Sequence, residues 1–287
     1  MSKLIKALAR NKNIAVYIND TKDIVETARI NHSLWPTASA ALGRTLSIGS
    51  IMGSMLKGVN EKITIIINGG GPIGTIMVDA KPNGNVRGFV GDPQQFYTYN
   101  DTGKLAVGLA VGNNGYLKVI KDLDLKENFT GLVELQTGEI GDDFAFYFAS
   151  SEQIPSIVSL GVLVSTDNTI QASGGLLIQM LPGASEEDIL YAEKILSTLK
   201  SMTQLLEEYD DIEEIIKSIF DDIEILETSE IYWACECNKD KMKKGLETLE
   251  QEELLKIIEE DHKAEIVCQF CGKKYNFDEE ELKELIK

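Results

Sequence analysis

The sequence predicts an α+β protein with three parts: an N-terminal antiparallel-sheet domain with packed helices, a helical linker and a small C-terminal four-cysteine zinc module. Three observations lead to this prediction. Apolar, β-branched runs separated by turn residues fill the first part, a strongly acidic helical stretch follows, and all four cysteines lie in the last fifth of the chain. We expect the parts to span residues 1–181, 182–230 and 231–287.

The first part opens with a strand and two helices. Asn13–Asn19 is apolar and β-branched enough for a strand, and Thr21 is a suitable N-cap for the helix that follows. Pro36 should end that helix or begin a new one. From Thr37 to Lys57 small residues alternate with Leu, Ile and Met, which predicts a helix packed closely against a sheet.

A glycine-rich segment follows the predicted strand Glu61–Asn68. Gly69–Gly74 satisfies the Gly-x-Gly-x-x-Gly pattern of dinucleotide-binding loops. That function needs a helix directly after the loop, so that the helix N-terminus holds the pyrophosphate. Thr75–Asp79 instead has the pattern of a strand. The segment therefore predicts a hairpin rather than a phosphate site.

Further hairpins predict an antiparallel sheet. The pair Asn83-Gly84 favours a two-residue type I′ turn. Strands are expected at Val86–Val90, Leu105–Val111, Leu117–Ile120, Phe129–Gln136, Ile157–Val164 and Ile170–Leu181, with a short helix from Gly138 to about Ser151.

The second part is predicted to be helical from Ser185, a good helix start, to the end of the acidic stretch. Residues 207–230 contain eleven acidic side chains and one lysine, Lys217. Like charges three or four residues apart each cost a few tenths of a kcal/mol, so this stretch depends on packing to stay folded. It is a candidate for metastability; the alternative is an ordinary helix with a solvated acidic face.

Charge and composition exclude several classes of protein. A formal net charge of −18 repels phosphate backbones and argues against a nucleic-acid partner. No apolar run is long enough to span a membrane, and residues 1–10 lack a signal-peptide pattern. Cysteines spaced as ligands fit a reducing compartment. We expect a soluble, cytoplasmic protein.

The cysteines form two close pairs, Cys235 with Cys237 and Cys268 with Cys271. Two such pairs can fill one tetrahedral zinc site, which predicts one zinc ion per chain. Zinc sites usually begin with Cys-x-x-Cys, so the tighter Cys-x-Cys pair is an unusual choice for a purely structural site. A structural zinc site nevertheless remains an alternative.

Zinc-bound thiolates also suggest redox control. An accessible four-thiolate site can lose its metal to an oxidant and close two short disulfides, Cys235 with Cys237 and Cys268 with Cys271. A small zinc domain has little other core, so metal loss removes folding free energy on the order of 10 kcal/mol. Oxidation would then act as a conformational switch.

The segments Cys235–Met242, Ile257–Glu265 and Cys268–Leu282 closely resemble the 33 kDa chaperonin family. Similar runs occur upstream, at Val86–Val90, Gly138–Phe148, Ser159–Val164 and Gly174–Gly183, so the resemblance covers nearly the whole chain. One departure is His262, where the family pattern has glycine in an acidic turn. His262 is also a conceivable metal ligand, although four sulfurs already complete a tetrahedron.

The resemblance implies a redox-regulated, ATP-independent molecular chaperone, a holdase that binds unfolding proteins and prevents their aggregation under oxidative stress. Its zinc-bound reduced form is inactive, and the oxidised, active form is dimeric. The partners implied are aggregation-prone proteins, and no enzyme activity is expected. Two alternatives remain from the residues themselves. One is a dithiol-disulfide oxidoreductase using Cys268 and Cys271, and the other is a structural zinc adaptor without a switch.

Overall fold

The computed structural model describes residues 1–286 and forms two compact units, Met1–Ala234 and a second that begins at Cys235. The strands of the first unit are β1 (Lys3–Ala9), β2 (Ile14–Asp20), β3 (Lys62–Asn68), β4 (Ile76–Ala80), β5 (Val86–Val90), β6 (Tyr116–Asp122), β7 (Phe129–Glu134), β8 (Ser156–Val164), β9 (Ile170–Met180) and β10 (Glu224–Glu230). Its helices are α1 (Lys22–His32), α2 (Pro36–Ser54), α3 (Val107–Val111), α4 (Gly141–Tyr147), α5 (Glu186–Thr198), α6 (Met202–Glu208) and α7 (Ile212–Ile219), and α4 runs into a π-helical turn at Phe148–Glu152.

The strands form two antiparallel sheets of five, which confirms the α+β class. The first sheet has the order β10-β1-β2-β9-β8, and the second has the order β5-β4-β3-β6-β7. Among residues 1–286, no helix combines the length and the apolar character that crossing a bilayer requires.

Helix α2 lies against both sheets and is buried on every side. Of residues 37–54, only Arg44 is not buried. A helix that is apolar all round belongs in a protein interior, and its small residues let neighbouring backbones come close. A Cβ added at Gly53 would lie 2.6 Å from the carbonyl oxygen of Lys81, at the end of β4. The prediction of a closely packed helix here is confirmed.

Helices α5, α6 and α7, within residues 182–230, cover the face of the first sheet opposite to α2. Apolar side chains of α5, α6 and α7 pack against those of β1, β2 and β9 in one buried cluster. Ile212, Ile215 and Ile216 of α7 are buried there. The helix start at Ser185 is confirmed, because its side chain and that of Asp188 cap the first turn of α5 reciprocally.

Two predictions of secondary structure were wrong, and one strand was not predicted. That strand is β1, Lys3–Ala9. Glu224–Glu230 is strand β10 rather than helix, because its backbone pairs with β1, with Lys3 opposite Glu230. Val107–Val111 is helix α3 rather than a strand, because Val107, Ala110 and Val111 lie on one buried helical face. The Gly108 N–H at its start donates to Glu139 Oε1 at 2.8 Å. A short apolar run does not distinguish these two structures.

The two glycine-containing turns discussed above, Gly69–Gly74 and the turn at Asn83-Gly84, both join antiparallel strands. Gly69–Gly74 connects β3 to β4, as predicted, and approaches α3 so closely that a Cβ at Gly71 would lie 2.3 Å from the carbonyl oxygen of Ala110. The turn before β5 is not type I′. Gly84 has φ +78°, but Asn83 is not in the left-handed region. The Gly84 N–H donates to the Lys81 carbonyl in a turn with Pro82 at its second position.

The second unit is small. It contains α8 (Lys239–Leu246), α9 (Gln251–Asp261), the hairpin strands β11 (Lys263–Val267) and β12 (Lys274–Asp278), and α10 (Glu279–Lys283). Its buried cluster includes Leu246, Leu254, Ile258, Tyr275, Phe277 and Leu282 together with Cys268. Leu249 and Leu255 of this unit are exposed.

Asp188 links α5 to the turn between β1 and β2 through contacts that depend on pH. Hydrogen bonds from the backbone and hydroxyl of Ser185, with further ones from Arg10 and Asn13, lower the pKa of this carboxyl to about 2. The ordinary value is about 3.9, so its stabilising contribution is complete above about pH 4 and is lost as the pH falls toward 2. We expect Asp188→Asn to be less stable than the wild type at neutral pH, with the difference shrinking between pH 4 and 2. Denaturant unfolding across this range measures it, and a constant difference would contradict the role assigned to ionised Asp188.

His262 occupies a position that favours glycine. It ends α9 with φ +55°, and its N–H donates to the Ile257 carbonyl. This left-handed conformation costs a residue with a Cβ roughly 1 kcal/mol, whereas the exposed contact with Glu279 contributes little. We therefore expect His262→Gly to slow amide exchange in α9 and β11. His262→Ala is the matched control, because it removes the ring and keeps the Cβ. Slower exchange in the alanine variant than in the glycine variant would refute the backbone explanation.

Candidate metal centre

The four predicted ligands lie together. All four Sγ atoms are within 4.8 Å of one another. Two Sγ–Sγ distances each join one cysteine of each pair: Cys235 and Cys268 are 3.7 Å apart, and Cys237 and Cys271 are 3.3 Å apart. A tetrahedral zinc with Zn–S bonds of about 2.3 Å requires sulfur atoms about 3.8 Å apart. The donor set and its spacing therefore fit one zinc ion.

The hairpin of β11 and β12 positions the second pair at its tip. The N–H groups of Cys271 and Gly272 both donate to the Cys268 carbonyl, at 3.3 and 2.8 Å. Gly272 has φ +69°, a conformation that glycine adopts without strain. This turn directs both thiols to the same side of the hairpin.

The first pair lies in the segment before α8. In an extended chain the side chains of residues i and i+2 point the same way, which explains how Cys-x-Cys presents two sulfurs together. The beginning of α8 supports this loop. Asn238 caps the helix by accepting from the Lys241 N–H at 2.8 Å, and Lys241 Nζ donates to the Glu236 carbonyl at 2.9 Å.

Tyr275 contacts the sulfur cluster, which the sequence analysis did not predict. Its hydroxyl lies 2.9 Å from the Cys237 carbonyl and 3.1 Å from Cys237 Sγ and donates its one proton to either acceptor, while its ring is buried in the core of the unit. The alternation of Tyr275 and Phe277 in β12 was the available signal, since residues two apart face the same side of a strand.

The thiols differ in acidity. Burial opposes ionisation of Cys237, but hydrogen bonds from Tyr275 and from the other three cysteines lower its pKa to about 7. Burial raises the pKa of Cys268, and it raises that of Cys271 to about 12. Thiolate is the form that binds metal and reacts with oxidants, so the lowered pKa of Cys237 favours both.

Two alternatives for this region find no support in the geometry. His262 is exposed and is not part of the sulfur cluster. Cys268 and Cys271 lie at the tip of a hairpin, whereas a dithiol oxidoreductase needs such a pair at the start of a helix to lower one thiol's pKa.

Fold and site together define an α+β protein with a C-terminal four-cysteine module that fits a metal ion. The family model described as Hsp33 protein matches residues 2–278. A 33 kDa chaperonin from Bacillus subtilis (strain 168) is 46% identical over 99% of this chain and 98% of its own length, and one from Geobacillus kaustophilus is 45% identical over 98% of this chain and 96% of its own. The crystal structure of the 33 kDa chaperonin (heat shock protein 33 homolog) from Thermotoga maritima matches with a TM-score of 0.91 and 34% identity, covering 99% of this chain and 97% of that chain. The chain belongs to the Hsp33 family, and the names of its relatives support a chaperone role.

The Tyr275 hydroxyl should strengthen metal binding. Groups that donate to a metal-bound ligand typically contribute 10- to 100-fold to affinity. We expect Tyr275→Phe, which keeps the buried ring, to weaken zinc binding about tenfold or more in competition with a chromophoric chelator. Tyr232→Phe, at an exposed tyrosine of the first unit, is the control. Equal zinc affinities for both variants would show that the hydroxyl has no such role.

Proposed function

We propose that this protein is a redox-regulated, ATP-independent holdase that binds unfolding proteins and prevents their aggregation under oxidative stress. In the reduced form, Cys235, Cys237, Cys268 and Cys271 hold one zinc ion, and the protein is inactive. The observation that carries the proposal is the convergence of all four thiols of the chain on a single point. The chaperonin names of relatives that match along nearly the whole chain support the same conclusion.

Oxidation removes the ligand set by ordinary thiol chemistry. Peroxide converts one thiolate to a sulfenic acid and is itself reduced to hydroxide. A second thiolate then attacks that sulfur, forms the S–S bond and displaces another hydroxide. Two peroxide molecules thus convert four thiolates into two disulfides, for which we propose the pairs Cys235–Cys237 and Cys268–Cys271. Sulfurs held in disulfides no longer serve as thiolate ligands.

The second unit has little else to keep it folded. Its buried cluster is small and includes Cys268 itself, so loss of the metal removes folding free energy on the order of 10 kcal/mol. We propose that the segment that unfolds is residues 231–287, which adds the four residues before Cys235 to the second unit. Its unfolding also loosens the acidic linker, residues 182–230, from the core and client-binding domain, residues 1–181.

The ion pairs between the linker and the N-terminal segment are weak enough to permit such release. Lysines of the N-terminal segment pair with carboxylates of the linker at the surface, including Lys3 with Asp211 at 2.6 Å and Lys6 with Glu227 at 2.9 Å. Surface pairs of this kind contribute little, at most about 1 kcal/mol each. Below α5–α7 lies the apolar face of the first sheet, including Ile5, Ile14 and Ile18. Exposed apolar surface of this extent is what binds unfolded proteins.

The remaining parts of the proposal concern setting and assembly. The oxidised form acts as a homodimer in the cytoplasm, without enzyme activity and without nucleic-acid or membrane partners. The high negative charge keeps loaded complexes soluble.

A single series of samples tests the switch. Zinc content, free thiols and suppression of aggregation of a thermally unfolding client are measured in reduced and in peroxide-treated protein. We expect one zinc and four thiols per chain to be lost together, with client protection appearing only afterwards, because the ligand set and the fold of the module depend on each other. Peptide mapping identifies the disulfide pairs, and light scattering gives the oligomeric state.

Cys268→Ser supplies the matched control, because it removes one ligand and prevents one disulfide. It should bind zinc more weakly whichever way it affects activity. Zinc retained after complete thiol oxidation, or equal client protection before and after peroxide, would reject the switch and leave a structural zinc protein.

A further inference from the structure

Residues 231–234, named here the strap, run along the outer edge of the second sheet. β5 is the terminal strand of that sheet, and the strap joins it through a parallel bridge between Trp233 and Val86. The Val86 N–H donates to the Tyr232 carbonyl at 3.1 Å, and the Ala234 N–H donates to the Val86 carbonyl at 2.9 Å. The strap thus occupies main-chain groups that an open edge strand offers to another chain.

Alternate side chains of the strap face the protein. Ile231 is buried in the main core, where its Cγ2 lies 2.9 Å from the position of a Cβ built on Gly84. Trp233 packs against the same core and meets the His32 ring edge-on, with centroids 6.1 Å apart. Tyr232, between them, is exposed. This is the side-chain pattern of a strand added to a sheet, with residues two apart sharing one face.

The strap pairs with β5 over a short length. A single residue pair bridges it to β5, and its other main-chain hydrogen bonds run from the Ile231 N–H to the Ser2 carbonyl at 3.1 Å and from the Tyr232 N–H to Asn85 Oδ1 at 2.8 Å. The indole N–H of Trp233 is buried with no hydrogen-bond partner among residues 1–286, a cost that disappears when the strap leaves and water reaches the ring. Ala234 is followed directly by Cys235, the first cysteine of the sulfur cluster. The strap therefore depends on the order of the chain that follows it.

We propose that the β5 edge is a client-binding site and that the strap is its built-in competitor. The occupant is an extended segment of an unfolded protein that carries an aliphatic and an aromatic side chain two residues apart. Such a segment would pair with β5 as Ile231–Ala234 do. This inference rests on the proposed function, because loss of the thiolate ligands is what frees the residues next to the strap.

Strand addition suits a chaperone that has many clients. Main-chain hydrogen bonds provide affinity that does not depend on sequence, and pockets for alternate side chains add a preference for apolar residues. The strap shows which groups the edge accepts, since Ile231 and Trp233 fill the two positions that face the core. Unfolded proteins contain many segments with this pattern, and folded proteins keep them buried.

The test uses the full chain and a fluorescent peptide with the sequence of Thr228–Ala234. Fluorescence anisotropy should show binding to the peroxide-treated protein. Binding to the reduced, zinc-loaded protein should be at least about tenfold weaker, because a tethered strap competes at an effective concentration on the order of mM. A peptide with serine at the positions of Ile231 and Trp233, and one N-methylated at the position of Ala234, should both lose affinity. Excess unmodified peptide should also restore aggregation of the client.

Strap variants test the edge independently of redox chemistry. Ile231→Ser combined with Trp233→Ser should release the strap in the reduced protein, with faster amide exchange at Val86 and binding of the peptide. Tyr232→Ser, at the outward-facing position, is the matched control and should behave as the wild type.

The outcomes separate this inference from the proposed function. Peroxide-treated protein that protects clients without binding the peptide would overturn the β5 site and leave the holdase intact. Peptide binding by the double variant would support the site even if peroxide failed to activate the protein. Continued protection of Val86 in both the oxidised protein and the double variant would overturn the proposal, since the edge would never open.

Discussion

The first unit depends on the burial of α2 on all sides. A helix without a solvent face has few polar groups that can reach water, and several hydroxyls of α2 donate to backbone oxygens instead, as Thr45 does to Ala41 and Ser47 does to Gly43. Ser39 Oγ is buried with no such partner among residues 1–286. Its glycines set how closely the sheets approach, since a Cβ at Gly49 would lie 2.9 Å from Val78 of β4. Both sheets are thereby fixed to one element, which gives the unit a continuous core.

The second unit, in contrast, does not depend on a large buried core. Its buried cluster is small, and one of its members is the candidate ligand Cys268. A domain of this size rarely folds on hydrophobic burial alone and needs a metal or cross-links. A chemical change at the four sulfurs therefore affects the stability of this unit more than it would affect that of the first unit. The Tyr275 hydroxyl couples the core directly to Cys237.

The sequence was most informative where structure is local. Apolar runs bounded by turn residues predicted β2 to β6 and the hairpin of β8 and β9, the small residues after Pro36 predicted α2, and cysteine spacing predicted the sulfur cluster that the structure brings together. Elements defined by distant partners escaped prediction. β1 and β10 are strands because each pairs with backbone far along the chain, and the acidic composition of β10 suggested a solvated helix. Tyr275 was missed because its role depends on a sulfur 38 residues away.

The late position of the strap and of β10 has a consequence for biosynthesis. β1 and β5 emerge from the ribosome early, but the segments that cover their edges are made only after residue 223. At about 5–20 residues per second, β5 waits roughly seven to thirty seconds until the segment that covers it is made. Each nascent chain therefore passes through an interval with two unpaired sheet edges. During that interval the protein is itself at risk of the aggregation from which it is proposed to protect others.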